Sequence, residues 1–171
     1  LNYAVLAAVH SVEHVTSMTY DIIDLMSTRG TYYVPQLSSR EFVAEKAKSA
    51  NYFPEIIRPN AASVGPQIGD TFNKAYKRGV KIAFGTDAGV QPHGTNWKEF
   101  VDMVKCGMPP METIQSATIS TAKMLDIDST LGSIEVGKSA DLIAVNGDPI
   151  QDINVMEKIS FVMKEGKVIS I

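Results

Sequence analysis

The chain of 171 residues carries 16 Lys and Arg against 19 Asp and Glu, a formal charge of −3, with 44% hydrophobic and 8% aromatic residues. That composition supplies one good-sized core or two small ones and excludes disorder. No basic stripe interleaved with aromatics occurs, which argues against nucleic acid as a partner. The longest uninterrupted apolar run, Ala4 to Val9, falls far short of the roughly 18 residues needed to cross a bilayer.

The start, Leu1-Asn2-Tyr3, has no initiator Met and no charged leader before an apolar stretch, so a fragment or a processed chain is expected. Cys106 is the single cysteine and has no partner within the chain, which fits a reducing compartment; the default expectation is cytoplasmic.

Helix-period and strand-period stretches alternate at short spacing, which predicts an α/β protein. Asn2 to Val9 reads as the end of an amphipathic helix and Ser11 to His14 as a short strand. Ser17 is a candidate cap for a helix from Met18 to Thr28, with Ile22, Ile23, Leu25 and Met26 as its apolar face and Gly30 as its stop. Thr31 to Val34 is β-branched and aromatic and ends at Pro35, the signature of a buried strand. A polar helix is expected from Ser39 through Lys48, an irregular excursion over Asn51 to Pro59, and another helix over Asp70 to Arg78, stopped by Gly79.

Val80 to Phe84 is the strongest predicted strand, and it runs into Gly85-Thr86-Asp87-Ala88-Gly89. Helices follow at Trp97 to Cys106 and at Pro110 to Leu125, the second opening with a proline at a position that suits it. Beyond Asp126 glycines punctuate short β-rich runs, Ala140 to Val145, Ile159 to Lys164 and Lys167 to Ile171. The expected division is therefore residues 1–128 and a small β segment over residues 129–171.

The three histidines are His10, His14 and His93, and the first two fall in His10-Ser11-Val12-Glu13-His14. That spells H-x-x-E-H, which on a helix would place both imidazoles on one face to hold zinc. As a strand it puts Ser11 and Glu13 on one face and His10, Val12 and His14 on the other. Read alone, the five residues are better explained by histidines bonded to nearby backbone groups than by a metal site. Asp87, at the mouth of an apolar strand and flanked by glycines, is a carboxylate placed to bind a metal or move a proton; a helix cap or an Asx turn would also use it.

Ala8 to His14, Gly30 to Pro35, Gly79 to Gly89, Pro92-His93-Gly94, Gly107 to Thr118, Gly132 to Ile143, Gly147-Asp148-Pro149 and Lys164 to Val168 together resemble the amidohydrolase superfamily. Within it, the imidazolonepropionase-like branch with its prolidase-type dipeptidases and zinc carboxypeptidases is the most similar. The resemblance implies the C-terminal part of a (β/α)8 barrel, strands six to eight, followed by a small β-sandwich segment. It implies a divalent metal, expected to be zinc, one or two ions in the complete enzyme, with His14 as a ligand at the end of the sixth strand. Asp87 would contact metal at the end of the eighth strand and shuttle the proton. His10 sits at a variable position of the pattern, and Glu13 inherits no ligand role. His93, on the loop after the eighth strand, and Tyr33, near the end of the seventh, are candidates for substrate contact.

What is absent matters as well. The family's H-x-H pair, its bridging lysine or glutamate and its fifth-strand histidine have no counterpart here. A closed barrel takes about 200 to 250 residues, so the resemblance implies about the C-terminal two-fifths of an enzyme. The implied activity is hydrolysis of a C–N bond in a small dipeptide or acyl-amino acid, of Xaa-Pro, Xaa-Arg or Xaa-Lys type. The isolated piece is expected to be inactive, and to associate with itself or with the missing N-terminal half. The alternatives are a non-catalytic half-barrel scaffold or interaction module, and a helical H-x-x-E-H metallopeptidase.

Overall fold

A computed structural model describes residues 1–170. Its first part alternates helices with short parallel strands: α1 (Asn2–Leu6), β1 (Ser11–Glu13), α2 (Tyr20–Arg29), β2 (Tyr32–Val34), α3 (Leu37–Ala47) and α4 (Arg58–Lys77). β1 and β2 pair in parallel, Val12 facing Tyr33, and residues 80–84 continue the sheet through a bridge between Tyr33 and Ile82. Tyr33 N–H donates to the Lys81 carbonyl at 2.8 Å and accepts at its own carbonyl from Ala83 N–H at 3.1 Å. Three β segments thus stand side by side in chain order, all ending at one rim.

The strongest predicted strand proves to be the least regular. Residues 80–84 hold a single bridge, because at Phe84 the N–H leaves the sheet for the Ser116 carbonyl and the Thr121 hydroxyl, each at 3.2 Å. α2 begins at Tyr20 after Thr19 rather than at Met18 after Ser17, and no side-chain cap closes its start. Gly30 ends it in the left-handed conformation, φ 70°, which a glycine adopts without penalty.

α4 exceeds expectation most. It runs for 20 residues with Pro59 in its first turn and Pro66 inside it, where only Asp70 to Arg78 was expected. The local penalty of the proline is outweighed by packing: Ala61, Ile68, Phe72 and Ala75 are buried along one face. Gly65 lets α3 lie close, since a Cβ built there would stand 3.1 Å from the Ala44 Cβ. The main core gathers Ile23, Met26, Tyr33, Ile68, Phe72 and Met103 between sheet and helices.

α5 (Lys98–Lys105) and α6 (Pro110–Gln115) follow, then a π-helical turn over Ser116–Ser120 and α7 (Thr121–Met124). The predicted single helix from Pro110 is therefore interrupted at the wide turn that receives Phe84. The C-terminal segment is an antiparallel sheet of β3 (Leu142–Val145), β4 (Ile159–Lys164) and β5 (Lys167–Ile169). Ile171, the end of the last predicted strand, lies outside the described residues. Ile153 and Met156, on a short 3-10 turn, join Val101 of α5 in a second, smaller core. No described helix is long and apolar enough to cross a membrane.

Candidate active site

The rim where the three β segments end holds three non-glycine residues with left-handed backbone: His14 at φ 62°, Gln36 at φ 57° and Asp87 at φ 50°. Such a conformation costs roughly 1 to 2 kcal/mol for a residue with a Cβ, less for Asp, and concentrates where geometry is imposed by function. It turns the chain sharply at each strand end, and the side chains of His14 and Asp87 meet. His14 Nδ1 lies 3.8 Å from Asp87 Oδ2, with both side chains partly open to solvent.

Arg40, one turn into α3, brings a guanidinium nitrogen to 2.6 Å from the same Nδ1. A guanidinium only donates, so Nδ1 accepts. The Arg40 Nε and the Gln36 Oε1 are buried and have no hydrogen-bond partner. In this structure Arg40 takes the lone pair of the nitrogen that faces Asp87, and it would have to swing aside for that nitrogen to bind a metal. Imidazole nitrogen and carboxylate oxygen are the donor pair that a borderline divalent ion accepts, so the residues fit a metal. Among the described residues no group of three or more His, Cys, Asp or Glu is arranged to hold a metal ion.

The chain around Asp87 is tied on both sides. Ser39 Oγ donates to the Thr86 carbonyl, and Asn96 Nδ2 donates to Thr86 Oγ1 at 2.9 Å. Beyond it, Val90 N–H closes a turn on the Asp87 carbonyl at 3.1 Å, and Gln91 Nε2 donates to Ser38 Oγ at 2.9 Å. The first turn of α3 is in turn capped by Glu99 of α5. Its carboxylate accepts from Leu37 N–H at 2.9 Å, Ser38 N–H at 2.8 Å and Ser38 Oγ at 2.7 Å. Glu99 is fully buried; burial pushes its carboxyl up to about 7, against the pull of the Ser38 and Leu37 donors.

Sequence reasoning missed Glu99, Arg40 and Gln36. A signal for Glu99 existed: it precedes Met103 by one helical turn, so the face of α5 that buries Met103 buries it too.

Two expectations are corrected. His10-Ser11-Val12-Glu13-His14 is not helical but contains β1, with Ser11 Oγ donating to Glu13 at 2.6 Å, so the helical H-x-x-E-H metallopeptidase is excluded. Tyr33, the candidate for substrate contact, is closed off from solvent. It pairs with Val12, points into the helical layer fully buried, and donates its hydroxyl to the Val15 carbonyl at 2.9 Å. Burial, and secondarily the charge of Glu99, hold its phenol above its ordinary range. His93 lies exposed on the loop between Asp87 and α5, and no hydrogen bond or ion pair links it to His14 or Asp87.

A model of the amidohydrolase family matches residues 1–169. A solved structure described as a Xaa-Pro dipeptidase with methionine bound in its active site is 63% identical, with a TM-score of 0.95, over 99% of this chain and 42% of that one. A prolidase solved with N-methylphosphonate-L-proline is 26% identical, TM-score 0.87, over 98% of this chain and 41% of that one. The ochratoxinase of Aspergillus niger is 31% identical over 96% of this chain and 35% of its own length. The chain thus spans well under half the length of these relatives. Members of this family are typically metal-dependent. By sequence and by mixed α/β fold, the chain belongs to the amidohydrolase family.

Proposed function

We propose that this chain is the part of a metal-dependent hydrolase that supplies strands six to eight of a (β/α)8 barrel over residues 1–128, with a C-terminal β-sandwich segment over residues 129–171. The reaction is hydrolysis of the C–N bond of a small dipeptide, of Xaa-Pro type by likeness to the 63% identical dipeptidase. The observation that carries the reading is the meeting of His14 and Asp87 at one rim, 3.8 Å apart. Additional metal ligands come from sequence beyond this chain, since zinc sites in enzymes use about three protein ligands.

His14 and Asp87 would hold the ion, with zinc as the proposed metal. A divalent cation there supplies Lewis acidity, lowering the pKa of water and polarising an amide carbonyl. Asp87 takes a proton at its carboxylate as the water oxygen bonds to the carbonyl carbon, and returns it to the amine nitrogen as the C–N bond breaks. His93, on the open loop beside the rim, is proposed to touch substrate. Ile134, Ile143 and Val168 are exposed, and their burial by the remainder of the enzyme is part of the same reading.

The test is hydrolysis of a panel of Xaa-Pro, Xaa-Arg and Xaa-Lys dipeptides by the complete enzyme, before and after chelation. Chelator-sensitive cleavage that returns with added zinc is expected. Cleavage of none of them by metal-loaded enzyme would contradict the reading.

A further inference from the structure

We propose that Glu99 is a positioning residue for Asp87, acting at a distance through the first turn of α3; the inference rests on the reading that Asp87 moves the proton. Ser38 and Ser39 grip the Asp87 loop from α3, Ser39 at the Thr86 carbonyl just before it and Ser38 at the Gln91 side chain just after it. Both are buried in the first turn of an 11-residue helix. Side-chain capping by the preceding residue is lacking there: Gln36 occupies the cap position with left-handed backbone, and its side chain makes no cap bond.

The amides that a cap residue would satisfy are instead satisfied by Glu99. Its carboxylate crosses from α5 and takes Leu37 N–H, Ser38 N–H and the Ser38 hydroxyl. An acid belongs at a helix N-terminus on electrostatic grounds, and burial removes the water that would otherwise compete for those donors. Ser38 Oγ is the shared node, donating to Glu99 and accepting from Gln91. One buried carboxylate thereby sets the orientation of the turn whose hydroxyls bracket Asp87, and the same turn leads to Arg40, which contacts His14 Nδ1. An error of about 1 Å in such a constellation is enough to lower a rate by about a hundredfold.

Glu99→Gln in the complete enzyme tests this, because an amide keeps the size of the side chain but turns one acceptor oxygen into a donor facing the N–H of Leu37 or of Ser38. We expect kcat to fall by about ten- to a hundredfold with KM little changed, far-UV circular dichroism retained, and faster amide hydrogen exchange over residues 85–91. Ser39→Ala, which frees the Thr86 carbonyl, should act in the same direction and serves where Glu99→Gln does not fold. In an Asp87→Asn background, Glu99→Gln should lower the residual rate by a much smaller factor. An undiminished effect in that background, or unchanged exchange over residues 85–91, would overturn the proposal. An enzyme that hydrolyses no amide at all would instead remove the proposed function, and the exchange comparison would still decide the positioning role.

Discussion

His14 and Asp87 arrive at their 3.8 Å approach from the ends of two β segments that do not pair with each other, since β2 lies between them. Each makes the approach in left-handed backbone. Asn tolerates that conformation nearly as well as Asp, so Asp87→Asn removes the charge without straining the turn. In the complete enzyme it should lower kcat by about a hundredfold or more at unchanged thermal stability. A variant with wild-type turnover would remove Asp87 from the proton path.

Gly85 is required by the close approach of β2. A Cβ built there would stand 2.5 Å from Val34 Cγ1, and Val34 is buried. Gly85→Ala should therefore cost about 1 to 3 kcal/mol, the usual penalty of overpacking, and should displace the segment that leads to Asp87. Urea denaturation reads the first effect and dipeptide turnover the second.

These two residues also mark what was legible in the sequence. The strand ending at Pro35 and the short strand before His14 are local patterns that the structure keeps, whereas residues 80–84, before Gly85 and Asp87, hold their place in the sheet by a single bridge. The residues that fix the site are not local. Arg40, Gln36 and Glu99 matter because α3 lies against α5 and above the rim, a relationship that no periodicity encodes. The same blindness explains α4, which begins inside the excursion expected up to Pro59 and runs through Pro66 into the helix expected from Asp70, because burial against α3 overrides both prolines. Tyr33 was ambiguous because a one-residue change of register reverses its face, and only the pairing with Val12 decides it.

Glu99 also predicts a pH dependence of stability. Burial is the largest influence on its carboxyl and raises it to about 7; the neighbouring Asp102 adds to the rise, and the Ser38 and Leu37 donors oppose it. The folded chain thus binds this proton more tightly than the unfolded chain does. The stability it contributes is full below the ordinary carboxylate range and is lost as pH rises through 7. Thermal melts of wild type and Glu99→Gln between about pH 5 and about pH 8 should show wild type losing ground to the variant with rising pH. A constant difference would show that the carboxyl does not titrate in that window.

Cys106 should be unreactive in the folded protein. Burial, with Asp102 as the next influence, lifts its thiol to about 11, so little thiolate exists at neutral pH. Alkylation by iodoacetamide should be slow in buffer and fast in denaturant. Equal rates would mean that the thiol is neither buried nor raised.

On the proposed function, His14 and Asp87 share one divalent ion in the complete enzyme. Anomalous diffraction from crystals of that enzyme, collected at the absorption edge of the metal found in it, locates the ion without assuming its ligands. A peak is expected at about 2.0 to 2.2 Å from a His14 ring nitrogen and an Asp87 carboxylate oxygen. A peak bound elsewhere in the enzyme, with neither side chain in its coordination sphere, would contradict it.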